Sequence, residues 1–274
     1  MKTKLVAVIA LIFCAFMAEA SKVEGNGNII TKEISVDNYS EIELGGNIEY
    51  SGNNFWGNRS NKKFPVFKYT HGRSASLKIT IDENLFPLLS IKSNNGRLAI
   101  RIQDGTRIKP TQYVIEGSSK TLKYLKTSSP MDFEAQNAFS EDQLEIKISG
   151  SSDVKFPHNV KLRLGEFSVS GSGDLVFEDL DCKNLTSKVS GSGDITLKGK
   201  ADEARYSVSG SGDIKAYDLS VNDLSCSVSG SGDARVYAKD NMNLSVSGSG
   251  DIRYKGPANV NKSKSGSGSI QGAN

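Results

Sequence analysis

Cysteine is nearly absent from this chain, with three in 274 residues, and histidine is rarer still, at two. No two cysteines have the two-residue spacing of a metal knuckle, and His71 and His158 stand far from Cys182 and Cys226. A structural zinc site needs four such ligands in a tight cluster, so none is expected, nor any other cofactor. A strong charge of either sign is also missing. Lys and Arg number 34 against 31 Asp and Glu, for a net +3, which is no electrostatic footprint for nucleic acid. The sequence has no nucleophile elbow, no HExxH and no phosphate loop.

Long apolar runs are lacking beyond the first residues. Leu5 to Met17 is uncharged and mostly apolar but shorter than the roughly 20 residues a spanning helix takes. Met1-Lys2-Thr3-Lys4 precedes it and Ala18-Glu19-Ala20 follows, the three parts of a cleavable export signal over residues 1–20. Cys14 offers a lipoprotein alternative, which Phe13 disfavours because it is a poor residue to precede a lipidated cysteine. The mature chain, residues 21–274, is then expected in the periplasm, on the outer-membrane surface or outside the cell. Losing Lys2, Lys4 and Glu19 leaves 32 basic and 30 acidic residues.

What the chain has in abundance is glycine, 27 residues, much of it in one motif. Ser-Gly-Ser-Gly-Asp occurs five times, ending at Asp174, Asp194, Asp213, Asp233 and Asp251, with degraded copies on either side that place Asp153 and Ser269 in the same column. The spacings are 21, 20, 19, 20, 18 and 18 residues. A period near 20 marks stacked supersecondary units. Around each motif apolar residues alternate with polar ones, as in strands with one buried face. Five before the aspartate stand Val169, Val189, Val208, Val228 and Val246; one after stand Leu175, Ile195, Ile214, Ala234 and Ile252. No helical period intervenes in residues 144–255. These columns predict an all-β parallel solenoid with rungs of about 20 residues, in which like residues stack about 4.8 Å apart. The motif is then a corner, where glycine allows positive φ or close backbone approach and aspartate accepts backbone N–H bonds. Cys182 and Cys226 fall about two rungs apart, too far for a disulfide, and are expected as buried free thiols.

The first half, to about residue 125, is less regular than residues 126–274, with no linker between them. Gly25 to Ile29 and Gly45 to Ile48 echo the corner with Asn28 and Asn47 in the aspartate's place. Ser128 to Phe133 puts Asp132 one period before Asp153. Strands are expected at Ser76 to Ile81, Leu88 to Ile91 and Arg97 to Ile102. The block Tyr39 to Ile48, the run Leu85-Phe86, Ile91 and Gly96 to Ile100, and the repeated Ser-Gly-Ser-Gly-Asp together resemble the putative auto-transporter adhesin, head GIN domain family, over about residues 30 to 270. The resemblance implies a right-handed parallel β-helix, essentially one domain, outside the cytoplasm, and it brings no catalytic residues. The stretch Gly52 to Ser74 departs from it, being longer and more aromatic than the family's usual connection.

Three places could carry chemistry. Asp174, Asp194, Asp213, Asp233 and Asp251 would form a carboxylate column, a weak candidate for a calcium ladder. Lys215, Arg235 and Arg253 would form a basic stripe beside stacked Tyr217 and Tyr237, a surface suited to a glycan, or merely a solvated face. The loop Asn53 to Arg73, which holds Trp56, would be either a cap or a recognition element. The reading that results is an exported, non-catalytic, adhesin-like solenoid that binds a glycan or surface protein or serves as a scaffold. Self-association end to end or side by side is open to it. The alternative from another class is a carbohydrate-active enzyme, a polysaccharide lyase or glycosidase, on the same fold. The last copy, Lys264 to Ile270, loses its valine and aspartate, as an end cap should.

Overall fold

The computed structural model describes residues 21–49 and 65–273. The leader, Trp56 and the first part of the 53–73 loop lie outside the described residues.

The second half is the expected parallel solenoid. Val160–Val169, Leu175–Val189, Ile195–Val208, Ile214–Val228 and Ala234–Val246 pair in parallel, each with the next. The columns read from the spacing are the columns of the ladder. Val154, Leu175, Ile195, Ile214, Ala234, Ile252 and Ile270 are in register, as are Val169, Val189, Val208, Val228 and Val246. All are buried except Ile270 on the last rung. Each of the four central units is one long strand that starts after one corner and ends before the next, with a register slip midway, as between Phe177 and Leu180; the flanking units are two strands each, Val154–Phe156 with Val160–Val169 and Ile252–Lys255 with Asn259–Lys264. Gly199 lies at that slip on its own strand with φ +121°, a conformation a side chain would resist.

Apolar faces that one rung could not bury alone meet in a continuous core. Inside it Phe133, Phe156, Phe177 and Phe167 form a chain of rings with centroids 5.8, 4.4 and 4.8 Å apart. Cys182 and Cys226 are buried free thiols on strands two rungs apart, and burial pushes them up to about 11 and about 12.

The first half departs from the expectation in three ways. Ile29–Glu33 pairs antiparallel with Ser76–Asp82, so Gly25 to Ile29 is no corner of a parallel rung. Asp82, buried, gathers this segment: its carboxylate accepts the N–H groups of Gly27 and Thr111, each at 2.8 Å, and the Thr111 hydroxyl at 2.7 Å. Gly46 and Asn47 do not join the corner column either, since Asn47–Ile48 pairs with Thr106–Lys109 in a separate three-stranded sheet. Finally, Leu89–Asn94 and Arg97–Ile102 form an antiparallel hairpin. Its turn, Asn95-Gly96, has φ of 49° and 78°, the left-handed pair a tight hairpin requires. The strand from Ser76 runs as expected, and Asp132 does begin the aspartate ladder.

The expected loop ends earlier than Arg73. Val66–His71 is a strand paired with Tyr113–Ser119 and Asp132–Ala135, and its Phe67 and Tyr69 are fully buried. They alternate with exposed Lys68 and Thr70, so these aromatics belong to the core by the period-two rule.

Candidate functional site: the corner ladder and the outward faces

Each corner aspartate joins both of its neighbours. Its backbone N–H donates to the Oδ1 of the preceding aspartate, at 2.7–3.2 Å from Asp153 through Asp251. Its carbonyl accepts the N–H of the residue after that same preceding aspartate, as in Ile195 N–H to Asp213 O at 2.9 Å. Ser269 ends the series, donating to Asp251 Oδ1 through both its N–H at 2.8 Å and its hydroxyl at 2.9 Å. Those two bonds, with Arg253 nearby, hold the Asp251 carboxyl below the usual carboxylate range.

The corner glycines serve this close stacking, not left-handed backbone. None of them has positive φ, which corrects half of the reason given above for glycine there. A Cβ on Gly171, Gly191, Gly210 or Gly230 would overlap the carbonyl oxygen of the corner one rung before.

Lys215, Arg235 and Arg253 stand in register on three successive rungs, as the spacing predicts. Their charges face the ladder. Lys215 Nζ lies 2.5 Å from Asp194 Oδ2, Arg235 lies 3.5 Å from Asp213 and 4.0 Å from Asp233, and Arg253 lies 3.8 Å from Asp251. Regular pairing between their two strands stops at Ala216–Val236, so Tyr217 and Tyr237 are not register partners, unlike the stacked pair the spacing predicts. Lys255, in register with Tyr237, stands 5.1 Å from the Tyr217 ring centre. Among the described residues no three His, Cys, Asp or Glu side chains gather as a metal would need. Asp174, Asp194, Asp213, Asp233 and Asp251 each have Oδ1 occupied by a backbone donor.

Burial, and then the neighbouring Asp153 charge, push the carboxyl of Asp132, the first of the series, up to about 6. A raised carboxyl favours the fold while protonated, so this group's contribution falls as pH rises from about 4 through 6. His71 meets Glu141 at 3.2 Å and stacks on Phe139 at 5.1 Å, while Glu141 also accepts the Leu122 N–H at 2.9 Å. That pair fastens two strands together and lies apart from the corners.

Sequence reasoning missed a trough on the strands that precede the corners. A groove of about 640 Å³ runs over Ser207, Ser227, Ser245 and Ser263, which are in register, beside Ser225 and Asn243. A second groove, of about 230 Å³, shares Thr186 and Lys188 with it and continues along the same face.

The chain belongs to the family described as putative auto-transporter adhesin, head GIN domain, whose profile matches residues 61–258. No curated protein matches it. Among solved structures it is similar to a putative adhesin from Parabacteroides merdae, at 30% identity and a TM-score of 0.81, covering 93% of this chain and all of that one. A putative lipid binding protein from Parabacteroides distasonis is similar at 32% identity and a TM-score of 0.84, over 93% of this chain and all of its own. A putative adhesin from Bacteroides fragilis, at 22% identity and a TM-score of 0.67 over 92% of this chain and all of its own, shares the fold.

Proposed function

We propose that this chain is exported and works at the cell envelope or surface as a non-catalytic, adhesin-like solenoid that binds a glycan or a surface protein. Residues 21–274 are its working unit. The observation that carries this reading is how the corner groups are used: carboxylates and cations of the kind that do chemistry are tied into the ladder, while the outward strand faces repeat polar side chains rung after rung. Membership of an adhesin-described family supports it. Among the described residues no helix is long and apolar enough to cross a membrane, and the near balance of charge gives nucleic acid no purchase.

The enzyme alternative asks for a raised acid beside a free base in a groove. Asp132 is a raised carboxyl, but its Oδ1 holds the Asp153 N–H at 2.9 Å and it lines neither groove of the trough. The test is a glycan array probed with the purified protein, with and without calcium, with mass spectrometry of the bound glycans. Retention without cleavage is expected. Cleaved product would sink the non-catalytic reading, and silence on every glycan would sink the glycan arm in favour of a protein ligand. Changing Tyr217, Tyr237 and Arg235 together tests the stripe; changing Trp56 tests the loop.

A further inference from the structure

The two outward faces that flank the corners differ in what their side chains are free to do. On the stripe the cations are committed to aspartates. The trough faces outward with its hydrogen-bonding groups uncommitted: Ser225, Ser227, Ser245 and Ser263 are exposed, and their hydroxyls make no bond to the protein among the described residues. Asn243 and Asn261 pair with each other at 3.2 Å and keep further donors and acceptors open.

The trough's shape is linear. The two grooves together touch seven successive rungs, from the strand carrying Glu145 to the one carrying Ser263, a length of about 29 Å at the roughly 4.8 Å spacing of strands. Each rung offers the same pair of outward positions, so the chemistry repeats along the axis. Such a surface suits a polymer whose units repeat too, and gives a compact small molecule no enclosure.

Its charge has one sign over most of that length. The larger groove is lined by Lys188, Arg205 and Lys262 and by no carboxylate. Lys262 stands 4.7 Å from the Tyr254 ring centre, which leaves Lys188 and Arg205 as the cations beside the serines. Arg205 meets Glu203 at 3.6 Å at the margin, an exposed pair worth little and easily exchanged for a ligand carboxylate. In the smaller groove Glu145 pairs with Lys147 at 2.5 Å, while Glu166, in register with Thr186 and in no ion pair among the described residues, leaves one negative charge at that end of the trough. Hydroxyl and amide donors in series, with two cations midway, complement a chain rich in hydroxyls that also bears carboxylates.

We infer that the trough is the glycan-binding face and that it takes an acidic polysaccharide laid along the solenoid axis. Lys188 and Arg205 hold its carboxylates and the Ser/Asn columns hold its hydroxyls. The inference rests on the glycan arm of the proposed function and names the site for it.

The test measures binding of the purified protein to alginate and polygalacturonate, two soluble uronic-acid polymers, with dextran as the neutral polymer. Three variants are compared: Lys188→Glu with Arg205→Glu, Ser227→Trp alone, and Tyr217→Ala with Tyr237→Ala and Arg235→Ala on the other face. All the trough positions changed are exposed, so thermal melts should match the parent. At least one uronic-acid polymer should bind, more weakly as salt is added. The charge-reversed variant and the Ser227→Trp variant should each lose roughly tenfold or more in affinity, and the stripe variant should not. Undiminished binding by both trough variants, dextran binding as tightly as the uronans, or no uronan binding at all would overturn the inference. In each of these cases a hit on another glycan of the array would still leave the proposed function standing.

Discussion

Gly212→Ala should abolish or nearly abolish folding. A methyl there would overlap the carbonyl oxygen of Gly193 and reach within 2.8 Å of its carbon and 2.9 Å of the Ser192 carbon. Those atoms are backbone, pinned by the next bonds of the ladder, with Gly212 N–H on Gly191 O at 3.1 Å. Relief would mean spreading two rungs apart, and Gly232 stands just as close to Gly212, so the strain would pass along the stack. We expect a loss of about 4 kcal/mol or more, a large part of the net stability of a domain this size. Gly96→Ala is the informative contrast. Gly96 has φ +78° and nothing within 4 Å of an added Cβ, so only its left-handed backbone is penalised, at about 1 kcal/mol. Urea titrations of both variants read the difference. Equal costs would mean that corner glycines are chosen for conformation after all.

Asp213→Ala should cost about 2 kcal/mol. It strips the acceptor from the Asp233 N–H, 2.8 Å away, and removes the 3.5 Å partner of Arg235. A donor left without its acceptor in a half-buried corner loses more than the bond was worth. Asp213→Asn keeps an Oδ1 acceptor and eases the repulsion between carboxylates about 4.8 Å apart, itself on the order of 1 kcal/mol in water. The amide should therefore cost well under half of what alanine does. Urea midpoints at an unchanged slope give the comparison. An alanine variant as stable as the parent would reduce the aspartate to a solubilising surface charge.

The legible part of this protein was the part that repeats. A period near 20 residues and two apolar columns determine a parallel stack, because register is fixed wherever one face must be buried. The corner aspartate's role followed from its chemistry, and the structure adds the direction of each bond. The first half was harder because its echoes are short. Gly25 to Ile29 looks like a corner, yet Asp82, distant in sequence, draws it into an antiparallel edge. The hairpin at Asn95-Gly96 did leave a signal, an Asn-Gly pair between strands. Phe67 and Tyr69 read as part of a loop, cap or recognition element, because Trp56 and several cations precede them, although their own alternation marks a strand. The trough left no signal. Its serines are the polar half of an ordinary alternating strand, and the groove is formed only between stacked rungs.

The account's central claim is that the repeated Ser-Gly-Ser-Gly-Asp corner is complete in itself, its carboxylates satisfied by backbone donors and, on every such rung but that of Asp174, by a neighbouring cation. The most direct test is a thermal melt of the purified protein in excess calcium and again in excess chelator. The account predicts melting temperatures that agree within about 1 °C. Calcium in the column would stabilise the folded state by mass action, by about 2.7 kcal/mol at a hundredfold excess over its dissociation constant. A calcium-dependent rise of about 5–10 °C would contradict the account and make the aspartate ladder a metal site.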